Sequence, residues 1–466
     1  MNKQVFNPYL PSWEYIPDGE PHVFGDRVYL YGSHDMYNGW GYCLEDYVCY
    51  SAPVNDLTDW RYEGVIYTKE SDPHNADGKM VLYAPDVTMG PDGRYYLYYV
   101  LDMLSVISVA VCDTPAGKYE FYGYVHYPDG TLYGESKEMG DYRQFDPGVF
   151  TEGDKTYLYT GFGMHSPGAM VTVLDKDMLT VLQAPKIIIP STLYKGVNRA
   201  IGTEYENHGF FEASSMRKFN GKYYFIYSSE KCHELCYATS DSPLGDFKYG
   251  GILISSTDFN VGGYKPASVK MRHNGNNHGS VELINGEYYI FYHRHINKPS
   301  YSRQACAEKI AMNPDGSFVQ AEISSCGLNG GPLVGKGYYP AYIACYLFSE
   351  DYNQPNFLGI AQDGRDGDEI PGHVMGITNG CTVGFKNFEF DGSTKEIKLW
   401  IRGNYISGEF EVKKAINGEV LAKIPVRHAN FWEVLSTPIS IPAGVHSLFF
   451  TYNGKNSVSI LGFELI

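Results

Sequence analysis

NGKYYFIYSSE (residues 220–230) and NGEYYIFYHRH (residues 285–295) are two copies of one pattern, an Asn-Gly turn leading into an aromatic strand. Three more copies stand upstream: GDRVYLYGSHD from Gly25, DGRYYLYYVLD from Asp92 and GDKTYLYTGFG from Gly153. In register they align Tyr29, Tyr96, Tyr157, Tyr224 and Tyr289, spaced by 67, 61, 67 and 65 residues. Each turn follows a short apolar stretch (PHVF, DVTM, PGVF, SSMRKF, SVELI), the signal of a β-hairpin. A repeat of that length has room for four strands. Five repeats predict a five-bladed β-propeller, which closes radially and leaves few exposed sheet edges. The alternative is an open β-sandwich in which the tyrosine spacing is coincidental.

The rest of the composition agrees with an all-β chain. Forty-two tyrosines, 51 glycines and 25 prolines in 466 residues suit short strands joined by turns and exclude a coiled coil or helical bundle. A formal charge of −17 makes a poor surface for nucleic acid or anionic lipid, so a neutral or cationic small molecule is the expected partner. No apolar run approaches the roughly 18 residues that span a membrane. The opening MNKQVFNPYLPSWEYIPDGEP has no apolar leader core, and nine cysteines, an odd number, do not read as a disulfide framework. These features lead us to expect a cytoplasmic protein with reduced thiols. Cys232 and Cys236 in KCHELCY have the look of a metal knuckle, but no second cysteine pair follows at zinc-like spacing.

Counting back 10 to 12 residues from each aligned tyrosine reaches Asp18, Asp86, Asp146, Glu212 and His278. Every repeat thus opens its first strand with an acid or a histidine. The first strand of a propeller blade is innermost, so these five side chains are expected to converge on one end of the central channel. Crowded carboxyls repel and desolvate one another, which is costly as mere structure and useful for acid–base chemistry on a neutral substrate. Singly, Asp18 in IPDGEP and Asp146 in FDPG also fit turn starts. Glu20 rivals Asp18 two residues on. Glu212, in GFFEASS, is a carboxylate in an apolar setting that calls for a partner.

The surroundings of these residues resemble glycoside hydrolase family 43. DGEPHVFGDRVYLYGSHD from Asp18 is similar to the family's opening motif. FDPGVFTEGDKTYLY from Phe145, FFEASSMRKFNGKYYFIYSS from Phe210 and NNHGSVELINGEYYIFYHR from Asn276 are similar to three later ones, in order. The resemblance spans residues 1 to about 325. It implies an inverting hydrolase in which Asp18 is the general base, Glu212 the general acid and Asp146 the residue that tunes and orients the acid. It further implies that His278 reaches a single calcium ion on the axis, and that Arg294 faces the −1 sugar. Tyr83 and Asp86 would bind substrate.

Past the Gly-rich stretch SSCGLNGGPLVGKG (residues 324–337) the repeat stops, and strands recur at the rhythm of a β-sandwich. We therefore expect a propeller over residues 1–325 and a jelly-roll sandwich over residues 335–466, the latter similar to a family 6 carbohydrate-binding module. Trp432 there is either a sugar platform or core. The expected activity is exo-hydrolysis that removes L-arabinofuranose or D-xylose from short arabinoxylan oligosaccharides. An endo-arabinanase, a retaining sucrose- or fructan-type propeller enzyme and a sugar-binding propeller without catalysis are the competing readings. Oligomeric state is not legible.

Overall fold

The computed structural model describes residues 3–136, 141–263, 265–268, 270, 275–297, 301–349 and 358–466. Among these there is no α-helix, only strands and five single-turn 3-10 segments. Four antiparallel four-stranded sheets follow one another along the chain, begun by the strands Glu20–Phe24, Leu82–Met89, Gly148–Glu152 and Phe210–Phe219. A fifth sheet has three strands, Val281–Ile284, Glu287–His295 and Arg303–Lys309. Each sheet is a blade of the propeller. The five repeat tyrosines lie in the second strands, paired across to His22, Thr88, Phe150, Arg217 and Glu282 in the first. Both sides of those second strands are covered, so Leu97, Tyr98, Leu158 and Phe225 are buried as well as four of the five tyrosines, Tyr29 being half-buried.

The first strands face one another around the axis, and side-chain or backbone bonds tie each blade to the next. His22 Nε2 lies 2.6 Å from Asp86, Val149 N donates to Asp86 Oδ2, Ala213 N donates to Asp146, and Ser215 Oγ donates to Ser280. A parallel bridge between Gly19 and Gly279 closes the ring from blade five to blade one. Glycine is required at two of these seams. A Cβ on Gly148 would strike the Ser214 carbonyl, and one on Gly279 the Phe291 carbonyl. Asn7 secures the chain's start against the last blade, donating to and accepting from the Ala307 backbone.

The described residues between 333 and 465 form two facing six-stranded sheets whose inward side chains, among them Phe385, Leu399, Phe410, Phe450 and Phe463, are fully buried. Tyr15, Tyr37 and Ile296 of the propeller side belong to the same apolar core. The contact also carries polar bonds: Tyr15 Oη donates to Gln362, and the buried Lys386 ammonium lies 3.0 Å from Asp258. The sandwich is thereby packed on the propeller instead of trailing from a linker.

Candidate active site

A cavity of about 280 Å³ opens at one end of the propeller axis. Asp18, Asp146, Glu212 and His278 all line it, together with Tyr42, Cys43, Asn276 and Arg303. Tyr83, Phe145, Phe162 and Phe211 make an aromatic wall, with Phe145 and Phe162 stacked at 4.8 Å. Four of the five residues aligned by the repeat therefore meet in one place.

Local backbone geometry aims them there. Asp18, Asp146 and Ala213 hold φ of 59°, 42° and 69°, a region non-glycine residues enter at a cost. The ladder of blade four slips register on both sides of Glu212, so the strand kinks where that carboxyl turns toward the cavity.

Asp18 and Glu212 sit in opposite electrostatic surroundings. Burial alone would raise both. At Asp18 the Arg303 guanidinium, 3.0 Å from Oδ1, overrides burial and holds the carboxyl well below the usual carboxylate range. His293 supports this carboxyl's backbone. Its Nε2 donates to the Asn276 carbonyl, which leaves Nδ1 to accept the Asp18 amide N–H at 3.3 Å. At Glu212 no cation makes close contact among the described residues. Burial and the neighbouring Asp146 push it up to about 8. Asp146 is also raised, by burial first, but its Oδ2 accepts the Ala213 amide and lies 3.7 Å from His278, so it is the readier of the two to ionise.

Glu20, the rival to Asp18, does not line the cavity. Its Oε2 accepts from Ser215 and from Arg217, deeper along the axis, while Arg217 also reaches Glu282. Two other expectations are corrected. Asp86 is fully buried beneath the site, with its oxygens taken by His22, Val87 N and Val149 N, so it is a brace between blades and not a sugar contact. Arg294 turns outward from the axis: its guanidinium donates to Gln304 and to the carbonyls of Tyr342 and Ala344, and it is absent from the cavity wall. The arginine that does stand in the site is Arg303, which sequence reasoning passed over. It begins a strand nine residues after Arg294, outside the aligned first-strand positions, and only the three-stranded closure of blade five brings it inward. Trp432 is half-buried, covered on one face by Arg402, 4.3 Å from its ring centre, and flanked by His373.

The residues present suit a hard cation beside His278. Glu20 Oε1 is buried without a hydrogen bond among the described residues and faces His278 Nε2 at 3.7 Å; a carboxylate oxygen is the donor such ions prefer. Without an ion, burial opposes the charged imidazole, while the carboxylates of Glu20, Asp146 and Asp18 favour it and raise its pKa to about 9. A bound cation would take over that positive charge and require the neutral ring.

A five-bladed propeller whose axial cavity holds one carboxylate kept ionised and another kept protonated is the architecture of a glycoside hydrolase. The model of glycosyl hydrolases family 43 matches residues 15–318, and the chain belongs to that family. A xylosidase/arabinosidase of Thermoclostridium stercorarium is 57% identical over all of this chain and 99% of the relative. A xylosidase/arabinosidase of Bacteroides ovatus is 28% identical over 61% of this chain and 87% of its own. Among solved structures, a family 43 arabinoxylan arabinofuranohydrolase of Bacillus subtilis covers 98% of this chain and 97% of its own at a TM-score of 0.54 and 21% identity, a likeness of fold. The β-xylosidase RS223 superposes on 66% of this chain with 26% identity and a TM-score of 0.52.

Proposed function

We propose that this chain is an inverting exo-glycosidase that releases terminal L-arabinofuranose or D-xylose from short arabinoxylan oligosaccharides. The carrying observation is that Asp18 and Glu212 line one cavity in opposite surroundings. Asp18 stands against the Arg303 guanidinium and Glu212 has no cation in close contact among the described residues, which favours the carboxylate at the first and the acid at the second. Asp18, held as a carboxylate, accepts a proton from the water that attacks the anomeric carbon. Glu212, held as the acid, protonates the departing glycosidic oxygen. Asp146 keeps the acid's pKa high and fixes the Ala213 backbone next to it. Tyr83 and the phenylalanine wall give the sugar's apolar face a surface to pack on. A cavity this small suits one sugar ring better than the open groove of an endo-acting enzyme. The pentose assignment leans on the name of the Thermoclostridium relative.

We assign catalysis to residues 1–325 and a supporting role to the sandwich of residues 335–466. Calcium, if bound, would be held by His278 with Glu20 beside it and would supply positive charge on the axis. Buried thiols outside any disulfide, such as Cys43, Cys49 and Cys236, support a reducing, cytoplasmic setting. Among the described residues no helix is long and apolar enough to cross a membrane.

The test is a panel of 4-nitrophenyl glycosides assayed on wild type, Asp18→Asn, Glu20→Gln and Glu212→Gln, with proton NMR of the first-formed anomer. The expected result is release of the opposite anomer and a loss of at least ~10³-fold in kcat for Asp18→Asn. Retention of configuration, or a crippled Glu20→Gln beside a near-normal Asp18→Asn, would overturn the assignment.

A further inference from the structure

On blade four, away from the cavity wall, three side chains of different chemistry converge. His208 ends the long loop after Lys186–Pro190, and Glu234 and Cys236 belong to the third strand of the blade, Glu234–Ser240. His208 Nδ1 is 2.7 Å from Glu234 Oε1, Cys236 Sγ is 3.9 Å from His208 Nδ1, and Cys236 Sγ is 3.7 Å from Glu234 Oε1. Imidazole, carboxylate and thiol form a soft-to-borderline donor set typical of zinc. With metal–ligand lengths of about 2.0–2.3 Å, the edges of a tetrahedral site run to roughly 3.4–3.6 Å. Two of the three observed edges lie within a few tenths of an ångström of that. The third, His208 Nδ1 to Glu234 Oε1 at 2.7 Å, needs His208 to draw back by about 0.7 Å.

A second observation points the same way. Glu234 is fully buried, and its Oε2 has no hydrogen-bond partner among the described residues. Glu230 Oε2, close to the loop at Gly209, is likewise buried and unpartnered. Leaving two carboxylate oxygens unmatched within one blade is costly unless a cation meets them. Lys231 approaches Glu234 Oε1 only to 3.8 Å, too long for a hydrogen bond. His208 keeps a fifth of its side chain exposed and offers the way in.

We propose that His208, Glu234 and Cys236 form a binding site for one thiophilic divalent cation of the Zn²⁺ class, which staples the loop of residues 191–209 to blade four. Binding forms bonds from Nδ1, Oε and Sγ to the metal and releases the Cys236 thiol proton to solvent. Because the metal binds the thiolate and displaces a proton, affinity should rise with pH. The site is independent of the sugar chemistry and of any ion at His278, which lacks a sulfur ligand.

The test is titration of the chelator-treated, reduced full-length protein with Co²⁺, followed by the near-ultraviolet thiolate-to-cobalt charge-transfer band. The expected result is a band saturating at one equivalent, displaced by Zn²⁺, and accompanied by a higher thermal midpoint. The band should be lost in His208→Gln, which leaves the buried thiol in place, and in Cys236→Ser, and kept in Cys232→Ser. No band in the wild type, or a band that survives His208→Gln, would overturn the proposal. Circular dichroism of each variant separates a lost site from a lost fold.

Discussion

Arg303 grips Asp35 through Nε at 2.8 Å and Nη2 at 2.9 Å while its Nη1 reaches Asp18 at 3.0 Å. The bidentate hold on Asp35 fixes the guanidinium plane, so the third contact delivers a positive charge to one oxygen of Asp18 with little freedom to wander. Tyr42 covers the guanidinium at 4.7 Å and helps exclude water from it. The ionised state of Asp18 is therefore a property of this triad and not of Asp18 alone.

From this, Arg303→Lys should cost about 10²-fold in kcat/KM, because a single ammonium cannot serve both carboxylates. Loss of the guanidinium lets burial dominate at Asp18, whose pKa then rises. The acidic limb of the pH–rate profile should shift to higher pH. Arg303→Ala should also destabilise the fold by about 3–5 kcal/mol, since two buried carboxylates lose their partner. A pH profile whose acidic limb stays in place in Arg303→Lys would show that Arg303 does not act through Asp18.

Glu212 must carry its proton to act as an acid, so the basic limb of the profile reports its pKa in the free enzyme. Burial and the charge of Asp146 set that value above the ordinary carboxylate range. Asp146→Asn removes the neighbouring charge while keeping the size and the contact with the Ala213 amide. Glu212 should then ionise more easily and the basic limb should move to lower pH. A limb that moves up, or stays, would place Asp146 outside the tuning role.

The same shift predicts a stability effect of the opposite kind to its effect on rate. A carboxyl raised in the folded state binds its proton more tightly there than in the unfolded chain. Stability on its account falls as pH rises from the unfolded value of about 4.3 through the folded one. Glu212→Gln removes a group that opposes folding near neutrality. Its thermal midpoint should exceed wild type by about 1 °C or more at pH 7 and by less at pH 4, while hydrolysis of poor leaving groups is abolished. Scanning calorimetry at both pH values checks this.

Much of the site was legible because the blades repeat. The tyrosines of the second strands fix the register, and the register alone leads to Asp18, Asp146, Glu212 and His278, which share the cavity. It leads to Asp86 just as readily, but a position in register says nothing of depth. The ladder of blade two slips between Tyr83 and Asp86, and the aspartate drops beneath the floor while Tyr83 stays in the wall. Arg303 and His293 act through contacts between segments some 270 to 290 residues apart, and no local pattern announces them. Arg294 shows the converse. The resemblance of NNHGSVELINGEYYIFYHR to a family motif singles it out, but alternation along the strand sends neighbouring side chains to opposite faces, and its own goes toward the sandwich.

That placement makes Arg294 a joint between the two halves of the chain. Its guanidinium donates to Gln304 Oε1 at 2.8 and 3.1 Å, to the Tyr342 carbonyl at 2.6 Å and to the Ala344 carbonyl at 3.1 Å, all in a buried seam. Gln304 in turn donates to the Ser12 carbonyl, extending the network to the start of the chain. Arg294→Gln should leave two backbone carbonyls and one amide oxygen without their donors, a loss of about 2–4 kcal/mol. Because the side chain is not in the cavity wall, KM for a 4-nitrophenyl pentoside should stay within about twofold of wild type at a temperature where the variant is folded. A sugar contact would behave the other way, with a large rise in KM and a nearly unchanged midpoint. Thermal denaturation read beside steady-state kinetics on the same preparation distinguishes them, and a tenfold KM defect in a variant of wild-type stability would return Arg294 to the site.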